Sequence, residues 1–300
     1  MTTPIRIKSI SEYHKALDLA PAKHPLVSVI DFAETCHSDY NDISVSFDFY
    51  TICLKRGVEK IFYGQQQYDF DEGLMYFMSP NQVLKFENNA NIARSGWIIH
   101  FHPDLLWGTS LADKIKKYEF FNYSVNEALF LSDKEEVILN DIVKNIQNEY
   151  ESNIDKFSQD IIISHMETLL NYAERFYERQ FITRKITNHQ ILDLLEKLLS
   201  DYFNSDDLAT KGLPTVQYIA DHLNISPSYL RGLLKTLTGQ TTQQHIHDLL
   251  IEKAKEKLST TTASVGEIAF ELGFEHSQSF SKLFKSKTNQ TPSEFRADFN

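Results

Sequence analysis

The chain has 300 residues and a mass of 34.8 kDa, about twice a common domain length, so the sequence predicts two domains that each bury a core. Its 42% hydrophobic and 24% charged residues are typical of a globular protein and exclude an intrinsically disordered chain. The net charge of −11 argues against a polyanionic partner for the chain as a whole.

Targeting and redox features of the sequence favour the cytoplasm. No stretch approaches the ~18 consecutive apolar residues that a membrane helix needs, and the first residues lack the apolar core of a signal peptide. Cys36 and Cys53 are too few for a four-cysteine zinc site, and we expect free thiols with no disulfide. The sequence therefore predicts a cytoplasmic protein with no membrane partner.

Residues 25–105 are predicted to form a β-barrel or a sandwich. Residues 43–49 alternate strictly, with apolar side chains from Ile43 to Phe49 on one face and polar side chains on the other. Further short β-prone runs follow at 59–63, 74–78, 82–86 and 97–101. Several short strands at this spacing, separated by turn-forming residues, are typical of a closed or two-layered β structure.

After this region the hydrophobic period changes from two to that of helices. Ser132 and Glu135 form a capping-box motif that begins a helix, and two further helices are predicted over about 154–180 and 189–203. Polar and turn residues concentrate at 204–214. The predicted domains are therefore 1–205, with the barrel at about 25–105 and helices at about 132–203, and 206–300.

The acidic charge is concentrated in the first two thirds of the chain. Residues 211–300 contain 10 Lys and Arg against 9 Asp and Glu, a net charge of +1, whereas residues 1–210 carry −12. Nucleic-acid binding by the last 90 residues would therefore depend on locally placed cations, because the domain as a whole supplies almost no attraction.

An internal repeat occupies this C-terminal segment. The motif that begins at Thr215 recurs 49 residues later at Ser264 with matching Val, Ile, Ala and Leu positions, and the motif from Lys235 recurs 50 residues later at Lys285. Each copy predicts a hydroxyl-capped helix, a short turn and a second helix, which is the pattern of a helix-turn-helix. Residues 243–259 predict an amphipathic helix that connects the two copies.

This segment resembles the DNA-binding domain of the AraC/XylS family of transcription regulators over about 85 residues. The residues that carry the resemblance lie in both copies and in the connecting helix: Ile219-Ala220, Ser226-Pro227-Ser228-Tyr229-Leu230, Thr238-Gly239, Glu252-Lys253-Ala254-Lys255, Glu267-Ile268-Ala269, Leu272-Gly273-Phe274, Ser279-Phe280-Ser281-Lys282-Leu283-Phe284-Lys285 and Thr291-Pro292-Ser293-Glu294-Phe295-Arg296. The resemblance implies double-stranded DNA as partner, with two recognition helices in successive major grooves. It also implies a cupin-like N-terminal domain for sensing a small-molecule effector or for dimerisation, and RNA polymerase as a partner if the protein is an activator.

The two recognition helices differ from the family pattern in their base-reading residues. Gly232 stands where the family commonly has Arg, so Arg231 is expected to reach guanine instead. Gln278 suits adenine, and Lys282 suits guanine or phosphate. The predicted DNA-binding residues are Ser228, Tyr229, Arg231, Lys235, Ser277, Gln278, Ser279, Ser281, Lys282 and Lys285, of which Lys235 and Lys285 are expected to bind phosphate.

Other chemistry is weakly supported. His100 and His102 alternate on one strand face, and we interpret them as capped strand-end histidines because no further metal ligand follows at cupin spacing. Catalytic motifs are absent from the sequence, and no cofactor, metal or catalytic residue is expected. Aromatic strand residues would fill either a barrel core or an effector pocket, for which Phe47, Tyr63 and Trp97 are the candidates.

Together these patterns predict an α+β protein with an N-terminal cupin-like β-barrel followed by helices and a C-terminal all-α domain with two helix-turn-helix units. The predicted function is sequence-specific DNA binding by a homodimeric transcription regulator, an activator or a repressor. The alternative from a different class is a cupin-like enzyme or ligand-binding module that carries a vestigial DNA reader.

Overall fold

The computed structural model describes residues 4–35, 44–56, 62–63, 66–67, 73–85, 95–124, 127–183, 185–205 and 207–298. The chain divides into two compact units, Met1–Gln180 and Phe181–Asn300. The first combines sheets with helices and the second is helical in its described residues, so the predicted α+β class is confirmed. The division precedes the boundary expected at 205/206, because the helix Lys185–Asn204 packs against helices of the repeat and joins the second unit.

The described strands form three sheets in the first unit. In chain order they are β1 (Ile5–Ile7), β2 (Val27–Asp31), β3 (Ser44–Phe47), β4 (Tyr50–Arg56), β5 (Phe62–Tyr63), β6 (Gln66–Gln67), β7 (Gly73–Met78), β8 (Val83–Lys85), β9 (Ser95–Phe101) and β10 (Leu129–Leu131). The largest sheet is antiparallel with the order β10-β7-β4-β9-β2. A second sheet has the order β1-β3-β8 with β1 and β3 parallel, and β5 pairs with β6.

The closed barrel expected from the strand spacing is not formed by the described strands. Residues 43–49 were expected to be one strand, but the chain bends at Asp48 and Phe49, so β3 and β4 enter different sheets. The bend is held by Arg6, whose guanidinium donates to both carboxylate oxygens of Asp48 at 2.7 and 2.9 Å. The alternation itself is confirmed, because Val45, Phe47 and Phe49 are all buried.

Several predictions concern positions outside the described residues. These are the placement of Cys36 and Ile43 and the strand ends at 59–61 and 86. Cys53, which is described, is a buried free thiol on β4, and burial raises its pKa to about 11. A thiol held in its protonated form is a weak nucleophile, so Cys53 acts as a core side chain.

Helices cover the described sheets and continue into the second unit. They are α1 (Ile10–Ala16), α2 (Leu111–Lys114), α3 (Asp133–Glu151), α4 (Ser158–Thr183), α5 (Lys185–Asn204), α6 (Asp207–Lys211), α7 (Val216–Leu223), α8 (Pro227–Thr238), α9 (Thr242–Thr260), α10 (Val265–Glu271), α11 (Ser277–Thr288) and α12 (Pro292–Ala297). The predicted capping box of α3 is confirmed, since Glu135 accepts from the Ser132 backbone N–H at 2.9 Å. No helix in the described part of the chain is long and apolar enough to cross a membrane.

The long helix α4 is fixed to the edge strand β10 by side-chain hydrogen bonds. Arg179 donates to the Phe130 carbonyl at 2.8 Å, and the Gln180 amide both accepts from Phe130 N–H at 2.8 Å and donates to the Ala128 carbonyl at 3.1 Å. Arg179 also forms an ion pair with Glu135 at 2.6 Å. These bonds satisfy an otherwise open strand edge.

Candidate DNA-binding site

The two copies of the sequence repeat fold into two helix pairs that begin with the same cap. Thr215 caps α7 by accepting from Tyr218 N–H at 3.1 Å, and Ser264 caps α10 by accepting from Glu267 N–H at 3.2 Å. Both hydroxyl caps were expected from the repeat and are confirmed. Each cap satisfies an N–H group at a helix start, which fixes where the first helix of each pair begins.

Left-handed residues end the helices at equivalent positions of the two copies. Asn224 and Gly273 follow the first helices with φ of 55° and 79°, and Gly239 and Asn289 follow the second helices with φ of 71° and 62°. A side chain on Gly273 would lie 2.6 Å from the Leu208 carbonyl, so only glycine fits there. Asn289 thus takes the place of Gly239 as the left-handed end of the second helix, a conformation that asparagine tolerates better than most residues.

The second helix of each pair, α8 or α11, buries one face and exposes the other. The buried anchors are Leu230, Leu233 and Leu234 in α8 and Phe280 and Phe284 in α11. They pack each helix against its own unit. The opposite face is left for contacts outside the unit.

Most of the predicted DNA-binding side chains lie on these outer faces. Arg231 and Lys235 are exposed on α8 and stand four residues apart, so they share a face. On α11 the exposed side chains are Ser277, Gln278, Ser279, Lys282 and Lys285, and Ser228 on α8 and Ser281 on α11 are half-buried. Gln278, Lys282 and Lys285 recur at spacings of four and three, which aligns them along one stripe of α11.

Tyr229 differs from the other predicted residues because its side chain is only 9% exposed. Its ring contacts the ring of Phe181, with centroids 5.1 Å apart and planes at 67°. The structure thus gives Tyr229 a packing partner 48 positions earlier in the chain, which no local pattern could indicate. We therefore assign Tyr229 to the packing of α8 and not to its outer face.

Within the described part of the second unit, lysines without a carboxylate partner lie on α8 and α11. Three lysines of α9 are paired within the unit: Lys253 with Glu256 at 3.4 Å, Lys255 with Glu252 at 2.6 Å and Lys257 with Glu271 at 2.6 Å. Across the residues described here, Lys235 of α8 and Lys282 of α11 have no such carboxylate partner. Positive charge is therefore available on the outer faces although the unit as a whole is nearly neutral.

The effector candidates of the first unit are packed against neighbouring side chains. Phe47 is 4% exposed and stacks on Phe49 with centroids 5.2 Å apart. Trp97 is 9% exposed, and its indole N–H donates to Asn140 Oδ1 of α3 at 2.8 Å. Tyr63 supplies backbone to β5, and its side chain lies outside the described atoms. The two described side chains thus have structural partners.

The two strand histidines have separate structural roles. The ring of His102 accepts from Asp104 N–H at 3.2 Å and so caps the 3-10 turn Pro103–Leu106. His100 is 1% exposed, and its Nδ1 lies 3.0 Å from Thr51 Oγ1. No group of three or more His, Cys, Asp or Glu side chains suited to a metal occurs among the described residues. The interpretation of this pair as capped strand-end histidines is confirmed for the His102 cap.

Comparisons with known proteins show that the repeat is similar to helix-turn-helix domains. Residues 219–298 match the family model described as "Helix-turn-helix domain". The chain is 33% identical over 116 residues to an uncharacterised HTH-type transcriptional regulator of Pseudoalteromonas carrageenovora, covering 39% of this chain and 64% of that protein. It is 39% identical over 82 residues to the raffinose operon transcriptional regulatory protein RafR of Pediococcus pentosaceus, covering 27% of this chain and 30% of RafR.

A similar solved structure is the C-terminal domain of AraT, a response regulator from Geobacillus stearothermophilus, at 28% identity and a TM-score of 0.32, covering 36% of this chain and 84% of that one. The chain thus spans less than two thirds of the length of the two curated relatives named above. The relatives are transcription regulators, which does not favour the alternative of an enzyme with a vestigial reader. Residues 219–298 therefore form an AraC-type helix-turn-helix domain of the kind found in DNA-binding transcription regulators.

Proposed function

We propose that the protein is a sequence-specific transcription regulator whose helices α8 and α11 read two successive major grooves of one duplex. The observation that carries this proposal is the pairing of two equivalent helices, each with a buried apolar face and an exposed face that bears unpaired lysine. Lysine on these faces favours phosphate contact, and the amide of Gln278 fits the N6 and N7 edge of adenine.

The geometry required for this function is one duplex turn between the recognition helices. Centres near Leu230 and Ser281 should be separated by about 34 Å when both helices occupy major grooves. The helix α9 connects the two copies and buries Ile246, Leu250 and Ile251 against the rest of the unit, so it is suited to hold that distance.

The first unit is proposed to be the regulatory part. If it senses an effector as a cupin-like domain would, that effector would have to displace or rearrange the packed Phe47 and Trp97. Since the indole of Trp97 donates to Asn140 of α3, a ligand that moved the indole would break or shift that hydrogen bond. RNA polymerase is the partner expected if the regulator activates transcription.

A homodimer is proposed through the surface around the start of α4. Most apolar residues of α4 are buried, so they are not available for an interface. Exposed apolar side chains remain beside it, namely Trp107 at 84%, Ile154 at 58%, Phe157 at 55% and Ile161 at 39%. Pairing of two copies would cover this surface and double the number of phosphate contacts.

Selection of DNA fragments from a random pool by the full chain tests the proposed function. The expected result is a motif with two boxes whose centres are about 10–11 base pairs apart. Gln278→Ala should lose the preference at one position of one box, whereas Gln243→Ala, an exposed glutamine of α9 outside the recognition helices, should select the wild-type motif. A pool that shows no enriched motif, or only a single box, would contradict reading of two grooves.

A further inference from the structure

Asp248 of α9 connects the ends of both recognition helices. Its Oδ2 accepts from the side-chain amide of Gln240 at 3.0 Å, and its Oδ1 forms an ion pair with Lys287 Nζ at 2.7 Å. Gln240 follows Gly239, the residue that ends α8, and Lys287 lies in the last turn of α11. One carboxylate is therefore bonded to the carboxyl-terminal end of each recognition helix.

The internal repeat supplies an equivalent site that lacks the second bond. Fifty residues later, Gln290 donates to Asp298 at 3.0 Å in the same way that Gln240 donates to Asp248. Asp298 has no lysine partner among the described residues, and the position equivalent to Lys287 in the first copy is Leu237. The Gln–Asp bond is therefore part of the repeated unit, whereas the Lys287 bond exists only between the two copies.

Because Lys287 lies at the end of α11, its ion pair affects the tilt of that helix and so the position of Gln278. Gln278 lies nine residues before Lys287 on α11, about 14 Å along the helix axis at the rise of an α-helix. A tilt of the helix by about 5° would move Gln278 by about 1 Å over that length, which is enough to break a hydrogen bond to a base. Buried Phe280 and Phe284 attach the middle of α11 to the core, and Lys287 restrains its end.

We propose that the Asp248–Lys287 pair is a positioning contact that sets the angle between the two recognition helices, and thereby the DNA half-site spacing that the protein accepts. The inference rests on the proposed DNA reading by both helices. The paired side chains retain 29% and 41% exposure, so the contact adds little to overall stability. Its effect is expected in the discrimination between spacings and not in the affinity for single half-sites.

The test compares binding to the selected site with binding to the same site carrying one extra base pair between its boxes. Asp248→Asn raises the net charge by one and Lys287→Met lowers it by one, so general electrostatics would change affinity in opposite directions. The positioning contact predicts that both changes reduce spacing discrimination in the same direction, by about two- to fivefold, the range typical of an exposed ion pair. Asp298→Asn is the matched control, with the same charge change and no lysine partner, and should discriminate as the wild type does.

Backbone amide exchange in the free full chain provides a readout that does not need DNA. Faster exchange at the end of α11 in both Asp248→Asn and Lys287→Met, but not in Asp298→Asn, is expected. Equal spacing discrimination and unchanged exchange in all three variants would overturn the positioning role while leaving the proposed function intact. If the wild-type chain selects no DNA, the proposed function fails, and unchanged exchange in α11 would then also overturn the contact as a restraint on the helix.

Discussion

Burial of the His100 imidazole predicts that the first unit loses stability in mild acid. The ring is 1% exposed, and the rings of Tyr13 and Phe49 have centroids 4.3 and 4.9 Å from its own. Its Nδ1 lies 3.0 Å from Thr51 Oγ1, while Nε2 is buried and has no hydrogen-bond partner among the residues that the structure describes. Burial, and to a smaller extent the charge of His14, lower the pKa of His100 from 6.5 to about 3.

The sign of the effect follows from proton binding in the two states. Below pH 6.5 the unfolded chain binds a proton at His100, whereas the folded chain does not bind one until about pH 3. The free energy of unfolding therefore falls as the pH is lowered through this window. Each pH unit costs about 1.4 kcal/mol, so His100 should contribute a loss of about 2 kcal/mol at pH 5. Most carboxylates titrate below this pH and contribute little there.

Urea unfolding monitored by tryptophan fluorescence measures this loss, because both tryptophans, Trp97 and Trp107, belong to the first unit. The fall in the free energy of unfolding between pH 7.5 and pH 5.0 should be larger in the wild type than in His100→Asn, and this excess is the His100 contribution. His24, whose pKa is also lowered by burial, contributes equally to both proteins. His102→Asn is the control, since asparagine can replace the capping acceptor of His102 at the surface. This variant should retain the wild-type pH dependence.

A His100 ring that titrates near its ordinary pKa would contradict the loss of stability expected from its burial. Nuclear magnetic resonance of the His100 ring protons in the wild-type chain decides this even if His100→Asn does not fold. Ring shifts that stay constant from pH 7.5 to pH 4.5 are expected. A midpoint near 6.5, or a wild-type unfolding free energy that is the same at both pH values, would show that burial does not hold this imidazole neutral.

Three further predictions concern DNA reading, a helix end and assembly. Lys282→Ala should lower the binding free energy on the selected site by ~1–3 kcal/mol and relax the preference at one base pair, as measured by fluorescence anisotropy. Lys235→Ala or Lys285→Ala should instead weaken binding to all sequences equally and reduce the slope of log affinity against log salt concentration by about one. Uniform weakening by Lys282→Ala would reverse these roles. Gly239→Ala should lower the free energy of unfolding by about 1 kcal/mol, as measured by thermal unfolding, because a φ of 71° is unfavourable for alanine. Asn289→Gly should not lower it, since glycine adopts the left-handed conformation freely. Equal effects of the two substitutions would contradict the requirement for a left-handed residue. Light scattering should give twice the 34.8-kDa chain mass, and a mass independent of concentration at one chain would exclude the dimer.

Local sequence patterns were sufficient to predict the helix-turn-helix pairs of the second unit. Hydroxyl caps at Thr215 and Ser264 and a left-handed end at Asn289 depend on interactions within a few residues, so they can be recognised without tertiary contacts. The offset of about 50 residues then related the two copies. The same offset matches Asp248 with Asp298, so the sequence could have shown that Asp248 belongs to the repeat. The match of Gln240 and Asp248 with Gln290 and Asp298 extends the repeat beyond the motifs that first revealed it.

For the first unit, the sequence predicted the strands but not how they pair into sheets. Alternation of residues 43–49 correctly indicated which side chains are buried, but the bend at Asp48 separates β3 from β4 because Arg6, 42 residues earlier, holds its carboxylate. Strand partners are chosen by contacts between distant segments, and the parallel pairing of β1 with β3 has no signature in either strand alone.

The sequence by itself determined the repeated helix-turn-helix units, their caps and the faces of α8 and α11, since helical period and capping are short-range properties. Only the tertiary structure decided that Tyr229 packs on Phe181, that His100 is enclosed by aromatic rings and that Lys287 reaches Asp248. The exposure, pKa and ion pairing of a side chain depend on the distant segment that packs against it, and the residues next to it in sequence do not determine which segment that is.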